Sequence, residues 1–321
     1  MFGLLAALEL HPSNPKCGVY APIGGFQAVS EAFEKLAESN DVTIKYNSTV
    51  TQVTEEGVYL LDSNEPKQSS FIAADLIIVN ADLPYATKTL MENDHKHFGN
   101  DLSPEHTEKI RFDWEKKYLY SSGVIAFHWS INKTLDCLNT HNVFMETKNA
   151  RESWETLRIP SIKKKTLSSN GAMNFYVHRA TKMDESASPE NCDAIMVLVP
   201  CETLLRDKVC AKLSKTEAIA KYHEQFSDEM IKHVKSIVLK RLSALDDLKN
   251  LEAHIVHEVV DTPATYSDLY NVGAGTPFAL VRKYFDLRLY CVQFCNCDYN
   301  YLQTVPWIWS TKYHSPFFRT T

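Results

Sequence analysis

Two adjacent glycines, Gly24 and Gly25, close an apolar stretch in "GVYAPIGGFQAVSEAF" and lead into a segment with helical spacing. Glycines at a helix N-terminus can cradle a phosphate, because backbone N–H groups and the positive end of the helix dipole point at the anion. The same pair can simply open a helix, glycine supplying φ > 0 or a close backbone approach. Neither G-x-G-x-x-G nor G-x-x-x-x-G-K-[ST] occurs in the chain, so the residues alone leave both readings open. A second candidate lies at Asn80, Ala81 and Asp82, which end the apolar run "FIAADLIIVNAD". Open α/β sheets place ligands at such strand ends, and an Asx turn also suits the position.

Other chemistries lack their residues. The chain has no G-x-S-x-G and no H-E-x-x-H. "HIVHE" sets His254 and His257 three apart in a β-branched context, where alternation puts them on opposite strand faces, unsuited to one metal. Cys291, Cys295 and Cys297 cluster without a second Cys/His group at finger spacing, so reduced thiols in an intracellular protein are expected. Net charge is −6, and Lys163–Lys165 is the one tight basic run, which gives no support to a nucleic-acid partner. No segment reaches the roughly 18 apolar residues of a spanning helix. "MFGLLAALELHP" has no positive n-region and carries Glu9, a poor signal peptide; peripheral membrane contact remains open. Ten glycines in 321 residues, about 3%, is low against a usual ~7%.

The elements that would position these residues follow from periodicity. Phe26, Val29, Phe33 and Leu36 predict an amphipathic helix over 26–39. Alternation from Val42 predicts a strand with a kink or bulge near Asn47. "GVYLLDSNE" reads as a strand, and the apolar run to Asn80 suits a strand buried on both faces, as in a parallel sheet. Together they predict an α/β layer. Residues 83–115 read as helical. "YLYSSGVIAFHWSI", "AMNFYVHRA" and "DAIMVLVPC" predict strands of a mostly antiparallel second sheet. Thr216 to about Leu251 predicts one long helix whose apolar stripe packs on a core, followed by a strand, a Pro-containing turn and a short helix. Residues 282–321 show no phase.

The order of these blocks resembles flavin-dependent amine-oxidase-like oxidoreductases, and more narrowly the bacterial and fungal type of phytoene desaturase. The resemblance rests on "YAPIGGF", "NAD" followed by Leu83 and Tyr85, "SGVIAFHWSINKTLDCLNTHNVFM", "NFYVHRATKMDESASPENCDAIMVLVPC" and "HIVHEVVDTPATYSDLYNVGAGTPFAL". It covers about residues 18–281. It implies a FAD-binding (glutathione-reductase-like) α/β domain lacking its N-terminal phosphate-loop unit, plus an α+β substrate domain with a mostly antiparallel sheet. The implied division is a lead-in over 1–17, partial FAD domain over 18–82, substrate domain over 83–253, a return to the FAD domain over 254–281 and an unassigned tail over 282–321. A nucleotide-type layered sheet is expected around Ile44 to Asn80, and the chain is expected to be the interior of a longer enzyme.

The resemblance also implies a reaction: two hydrogens removed across a C–C bond of an acyclic polyene, with hydride passing to FAD. Gly24, Gly25, Val53, Ala81 and Asp82 are the implied cofactor-side residues, Val53 at the adenine edge. Phe127, Trp129, Phe175 and Tyr176 are candidates for the apolar substrate, core packing competing for at least half of them. The partners implied are that polyene and a peripheral membrane surface. No catalytic base is named. Another polyene or retinoid saturase, an amine oxidase, and a non-catalytic fragment without flavin are the alternatives.

Overall fold

The computed structural model describes residues 22–62, 69–82, 85–91, 118–120, 122–146, 153, 173–201, 215–272, 275–276, 280–282 and 293–295. In chain order the longer elements are α1 (Gly25–Glu38), β1 (Ser48–Val53), β2 (Gly57–Asp62), β3 (Ser69–Ala73), β4 (Leu76–Ile78), β5 (Tyr118–Tyr120), β6 (Gly123–Ile131), β7 (His141–Phe144), β8 (Phe175–Arg179) and β9 (Asp193–Cys201). They continue with α2 (Lys215–Gln225), α3 (Asp228–Leu242), β10 (Ile255–Asp261), α4 (Pro263–Tyr270), β11 (Leu280–Arg282) and β12 (Gln293–Cys295). The chain divides into two compact units. One comprises residues 1–46, 122–270 and 274–277, and the other 47–121, 271–273 and 278–321.

The first unit is built on a five-stranded sheet of order β10-β6-β9-β8-β7, antiparallel at every pairing. β6 and β9 run the full register from Gly123↔Cys201 to Ile131↔Asp193. Strict alternation in β8 and β9 puts Phe175, Val177, Ile195, Val197 and Val199 in the core and their neighbours on the other face, as period-2 side chains must. The helix side of that core holds Tyr222, Phe226, Met230, Val234, Val238 and Leu242. Burying each large apolar side chain stabilises by roughly 1.5–3 kcal/mol.

The stripe expected on one long helix is therefore real, but it belongs to two helices. Ser227 accepts the Met230 N–H at 3.4 Å, with Asp228 and Glu229 in the first turn of α3 and Lys240 and Arg241 in its last. An N-cap serine with charges that complement the helix dipole starts a new helix. The strand expected over 193–201 forms, and the one expected over 172–180 begins at Phe175. The single strand expected over 118–131 divides into β5, which pairs with β11, and β6. Strands β6, β8 and β9 pair antiparallel as expected. β10 and α4 supply the expected strand, Pro-led turn and short helix. Gly275 lies so close to Pro263, at the start of α4, that a Cβ there would sit 2.1 Å from its carbonyl oxygen.

Three expectations for residues 42–80 are corrected. β1, β2 and β3 form an antiparallel meander, not a buried parallel layer. The apolar run is split: Ala74 N–H bonds Glu56 O at 3.1 Å between β3 and β4, and within β4 only Ile77 is buried while Leu76 and Ile78 are exposed. The strand expected from Val42 begins only at Ser48, after Asn47 takes a left-handed φ of 53°. The irregularity expected near Asn47 recurs as a register shift between Val50 and Gln52. Short ribbons pair β5 with β11 and β4 with β12. Residues 83–84 and 92–115 of the stretch read as helical, and most of the 282–321 tail, lie outside the described residues.

Candidate functional site

The two faces of the five-stranded sheet differ in chemistry. On the helix-covered face, Phe127 and Trp129 stack obliquely at 5.6 Å, and Phe144 lies parallel to Phe175 at 4.8 Å. Trp129 Nε1–H donates to Glu258 at 2.5 Å, and Lys235 completes the group by pairing with Glu258 at 2.9 Å. Arg179 Nε donates to buried Asp193 at 3.0 Å. The same carboxylate accepts the Leu135 N–H at 2.7 Å, and Arg179 also reaches the Leu138 carbonyl at 3.2 Å. This ion pair ties the loop after β6 to β8 and β9.

Among the described residues, no helix is laid along the opposite face. Strand register aligns two rows across it: Val259, His128, Met196, His178 and His141, then Asp261, Ala126, Leu198, Tyr176 and Val143. Four interstrand gaps make each row about 19 Å long. Five of these ten residues are polar, and each has a hydrogen-bond or ion-pair partner. His128 Nε2 lies 3.1 Å from Asp261, His141 Nδ1 hydrogen-bonds the Tyr176 hydroxyl, and His178 Nδ1–H donates to the Thr140 carbonyl at 3.1 Å. The His141 and His178 rings are 5.3 Å apart. Burial, and then the neighbouring His141, pull the His178 pKa below its ordinary value. Burial pushes Tyr176 up, and burial together with Asp261 pushes Tyr266, on α4, to about 12. A separate groove of about 600 Å³ runs along α3, lined by apolar Ile231, Leu239 and Leu251 and by polar residues that include Lys232, Lys240 and Glu252.

Of the four aromatic candidates, Phe127, Trp129 and Phe175 are buried in the core. Tyr176 alone lies on the open face. Consecutive residues of one strand cannot share a face, so the alternation of "FYV" already separated Phe175 from Tyr176. His128, His141, His178 and Met196 were not singled out in the sequence, and only the register brings them into one row.

The cofactor-side candidates fall in both units. Gly24, with φ 80°, is the N-cap of α1, and its N–H is held by the Asp184 carboxylate at 2.7 Å. A carboxylate already occupies the place a phosphate would take, and the two anions would repel. Gly25 opens the helix at φ 73°. In the second unit Val53 is buried with Ile77, Ala86, Leu90 and Met91. Ala81 is exposed. Asp82 caps the following turn, its carboxylate accepting the Tyr85 N–H at 3.4 Å and its carbonyl the Ala86 N–H at 2.8 Å. That is the Asx arrangement. The described residues thus give these positions local roles in a helix start, a small core and a turn. They include no group of three metal-ligating side chains and no helix long and apolar enough to cross a membrane.

The first unit is thus an antiparallel sheet with one helix-packed face and one face of mixed apolar and polar side chains along which no described helix runs, in a chain of mixed helices and antiparallel strands. Curated proteins similar to it include desaturases of phytoene and diapophytoene. Phytoene desaturase of Neurospora crassa is 27% identical over 280 residues, 84% of this chain and 41% of that protein. The zeta-carotene-forming phytoene desaturase of Myxococcus xanthus is 28% identical over 206 residues, 62% of this chain and 33% of that protein. A 4,4'-diapophytoene desaturase of Staphylococcus haemolyticus is 24% identical over 271 residues, 82% and 46% of the two chains. The chain thus spans about two-fifths of the length of the first of these relatives, and the desaturase-type resemblance read from its blocks stands. No protein-family profile matches it. Among solved structures, reduced UDP-galactopyranose mutase aligns with a TM-score of 0.35 and 13% identity, over 61% of this chain and 34% of that one.

Proposed function

We propose that this chain carries the substrate-facing sheet of a flavin-dependent desaturase acting on an acyclic polyene of the phytoene type. The observation that carries this reading is the open face: two register rows crossing five strands, lined by Val143, Tyr176, Met196 and Leu198. A long hydrocarbon offers nothing to hydrogen-bond, so a site for it needs length, apolar side chains and few unpaired polar groups. The named relatives, all phytoene or diapophytoene desaturases, support the same reading.

In this scheme bound FAD supplies the two-electron acceptor for the hydride. The chain's own residues bind and orient. Met196 and Leu198 bear on the hydrocarbon, and the His141–Tyr176 hydrogen bond keeps the hydroxyl from competing for water at the edge of the strip. The substrate reaches this face from a membrane surface. Gly24 and Gly25 serve helix geometry, and diphosphate binding falls to residues outside those described. A second reading, polyene binding without flavin, is favoured by the carboxylate already seated at Gly24.

Purification of the full chain from a phytoene-accumulating host tests both readings. Retained polyene with visible flavin absorbance is expected for the desaturase, and retained polyene in a colourless protein supports the second reading. Met196→Asp, whose side chain lies off the core, should abolish retention while leaving the far-ultraviolet circular dichroism unchanged. Polyene binding that survives this substitution, or none in the folded wild type, removes the proposal.

A further inference from the structure

Strands β7 and β8 set two imidazoles directly opposite one another, His141 and His178 being register partners. Just before β7, the Thr140 carbonyl accepts the Arg179 N–H at 3.0 Å. Thr140 and Arg179 are thus a hydrogen-bonded pair, and alternation makes His141 and His178 a non-hydrogen-bonded one, where facing side chains come closest. Their ring centres are 5.3 Å apart. Nδ1 of each ring is engaged, on His178 by the Thr140 carbonyl at 3.1 Å and on His141 by the Tyr176 hydroxyl. A partner at Nδ1 leaves Nε2 to present its lone pair, the state that hydrogen-bonded neighbours impose on metal-binding histidines.

We propose that His141 and His178 together bind a zinc ion through their Nε2 atoms, which clips the edge strand β7 to β8. Zinc takes imidazole nitrogens at about 2.0–2.1 Å in a tetrahedral shell. Two imidazoles aimed at one such ion have ring centres about 5.2 Å apart, against 5.3 Å between His141 and His178. The Tyr176 hydroxyl can accept as well as donate, so it accepts the His141 Nδ1–H when Nε2 holds the metal. Burial and His141 keep the His178 pKa below its ordinary value, and a neutral ring is the form that ligates.

Among the described residues no third His, Cys, Asp or Glu joins the pair. His128 is two strands away from His178 in the sheet and pairs with Asp261, which puts it about 10 Å off. Water therefore fills the remaining positions, and binding is weaker than at a four-ligand structural site. His141 is exposed, which gives the ion a way in. Magnesium and calcium prefer oxygen ligands, so the imidazole pair selects zinc over both. The inference needs only the β7–β8 pairing and is independent of the desaturase reading.

The test titrates the full chain, stripped with EDTA, with zinc chloride alone. Long-range proton–nitrogen NMR of the histidine rings should show the Nε2 signals of His141 and His178 moving together. His141→Gln, on an exposed edge position, should raise the zinc concentration needed to move His178 at least tenfold while the far-ultraviolet circular dichroism stays native. A His178 response that survives this substitution unchanged overturns the proposal. So does zinc uptake that moves neither ring, which would place the metal elsewhere, on thiols for example. Magnesium chloride should move neither signal, and equal shifts with it count against a zinc site. Thermal unfolding gives a second measurement: zinc should raise the wild-type midpoint more than that of His141→Gln, and equal rises in both remove the proposal.

Discussion

The Asp184 carboxylate accepts the Gly24 N–H at 2.7 Å across 160 residues of sequence. Its other oxygen takes the Ser186 backbone N–H at 3.0 Å and hydroxyl at 2.6 Å. The loop between β8 and β9 thus holds the N-terminus of α1, and the question raised by the paired glycines has a structural answer. Their left-handed backbone builds a helix start that a carboxylate of this chain satisfies.

The first prediction concerns that contact. The Ser186 side chain, then the Gly24 and Ser186 N–H groups, hold the Asp184 pKa below its ordinary value. A depressed folded pKa contributes stability that is present above the unfolded value and is lost as pH falls through the folded one. Asp184→Ala should speed amide exchange over the first turn of α1 at neutral pH. The difference from wild type should shrink as pH falls below the carboxylate range. Hydrogen exchange followed by NMR across that range reads both effects.

Neighbouring aromatics on β8 should behave as opposites. Phe175→Ala opens a cavity beneath Phe144 and should cost about 3–5 kcal/mol, measured by urea unfolding. Tyr176→Ala removes a half-buried side chain from the open face and should cost much less. It should instead weaken polyene retention, which a co-purification assay reads directly.

Arg179 and Asp193 share a buried ion pair, side chains 7% and 0% exposed. Removing one member strands the other. Arg179→Met should destabilise the first unit by about 3–5 kcal/mol, and restoring charge balance with Asp193→Asn should recover part of the loss. A double-mutant cycle on thermal unfolding separates the coupling from the two single losses.

The histidine pair sets an acid limit. Because the folded pKa of His178 is lowered by burial and by His141, the unfolded chain binds the extra proton first. Stability from keeping His178 neutral is complete above its ordinary pKa and fades as pH falls through the folded value. Unfolding midpoints should therefore drop on acidification from neutral pH, and His178→Gln should flatten that part of the profile.

Much of this protein was written in its sequence. Strand-forming blocks, the helix stripe from Tyr222 to Val238 and the irregularity near Asn47 follow from periods of 2 and 3.6 and from local backbone preference, which need no distant partner. The desaturase resemblance, too, is a property of the order of blocks. Tertiary structure alone decided the rest. Pairing of β6 with β9, β9 with β8 and β8 with β7 gathers His128, Met196, His178 and His141 into one row from positions up to 68 residues apart, and no local pattern encodes register between distant strands. Ser227 capping divided a stripe that periodicity reads as continuous. Whether Gly24 meets a phosphate or a carboxylate depended on a loop 160 residues away, because an N–H takes whichever acceptor the fold brings to it.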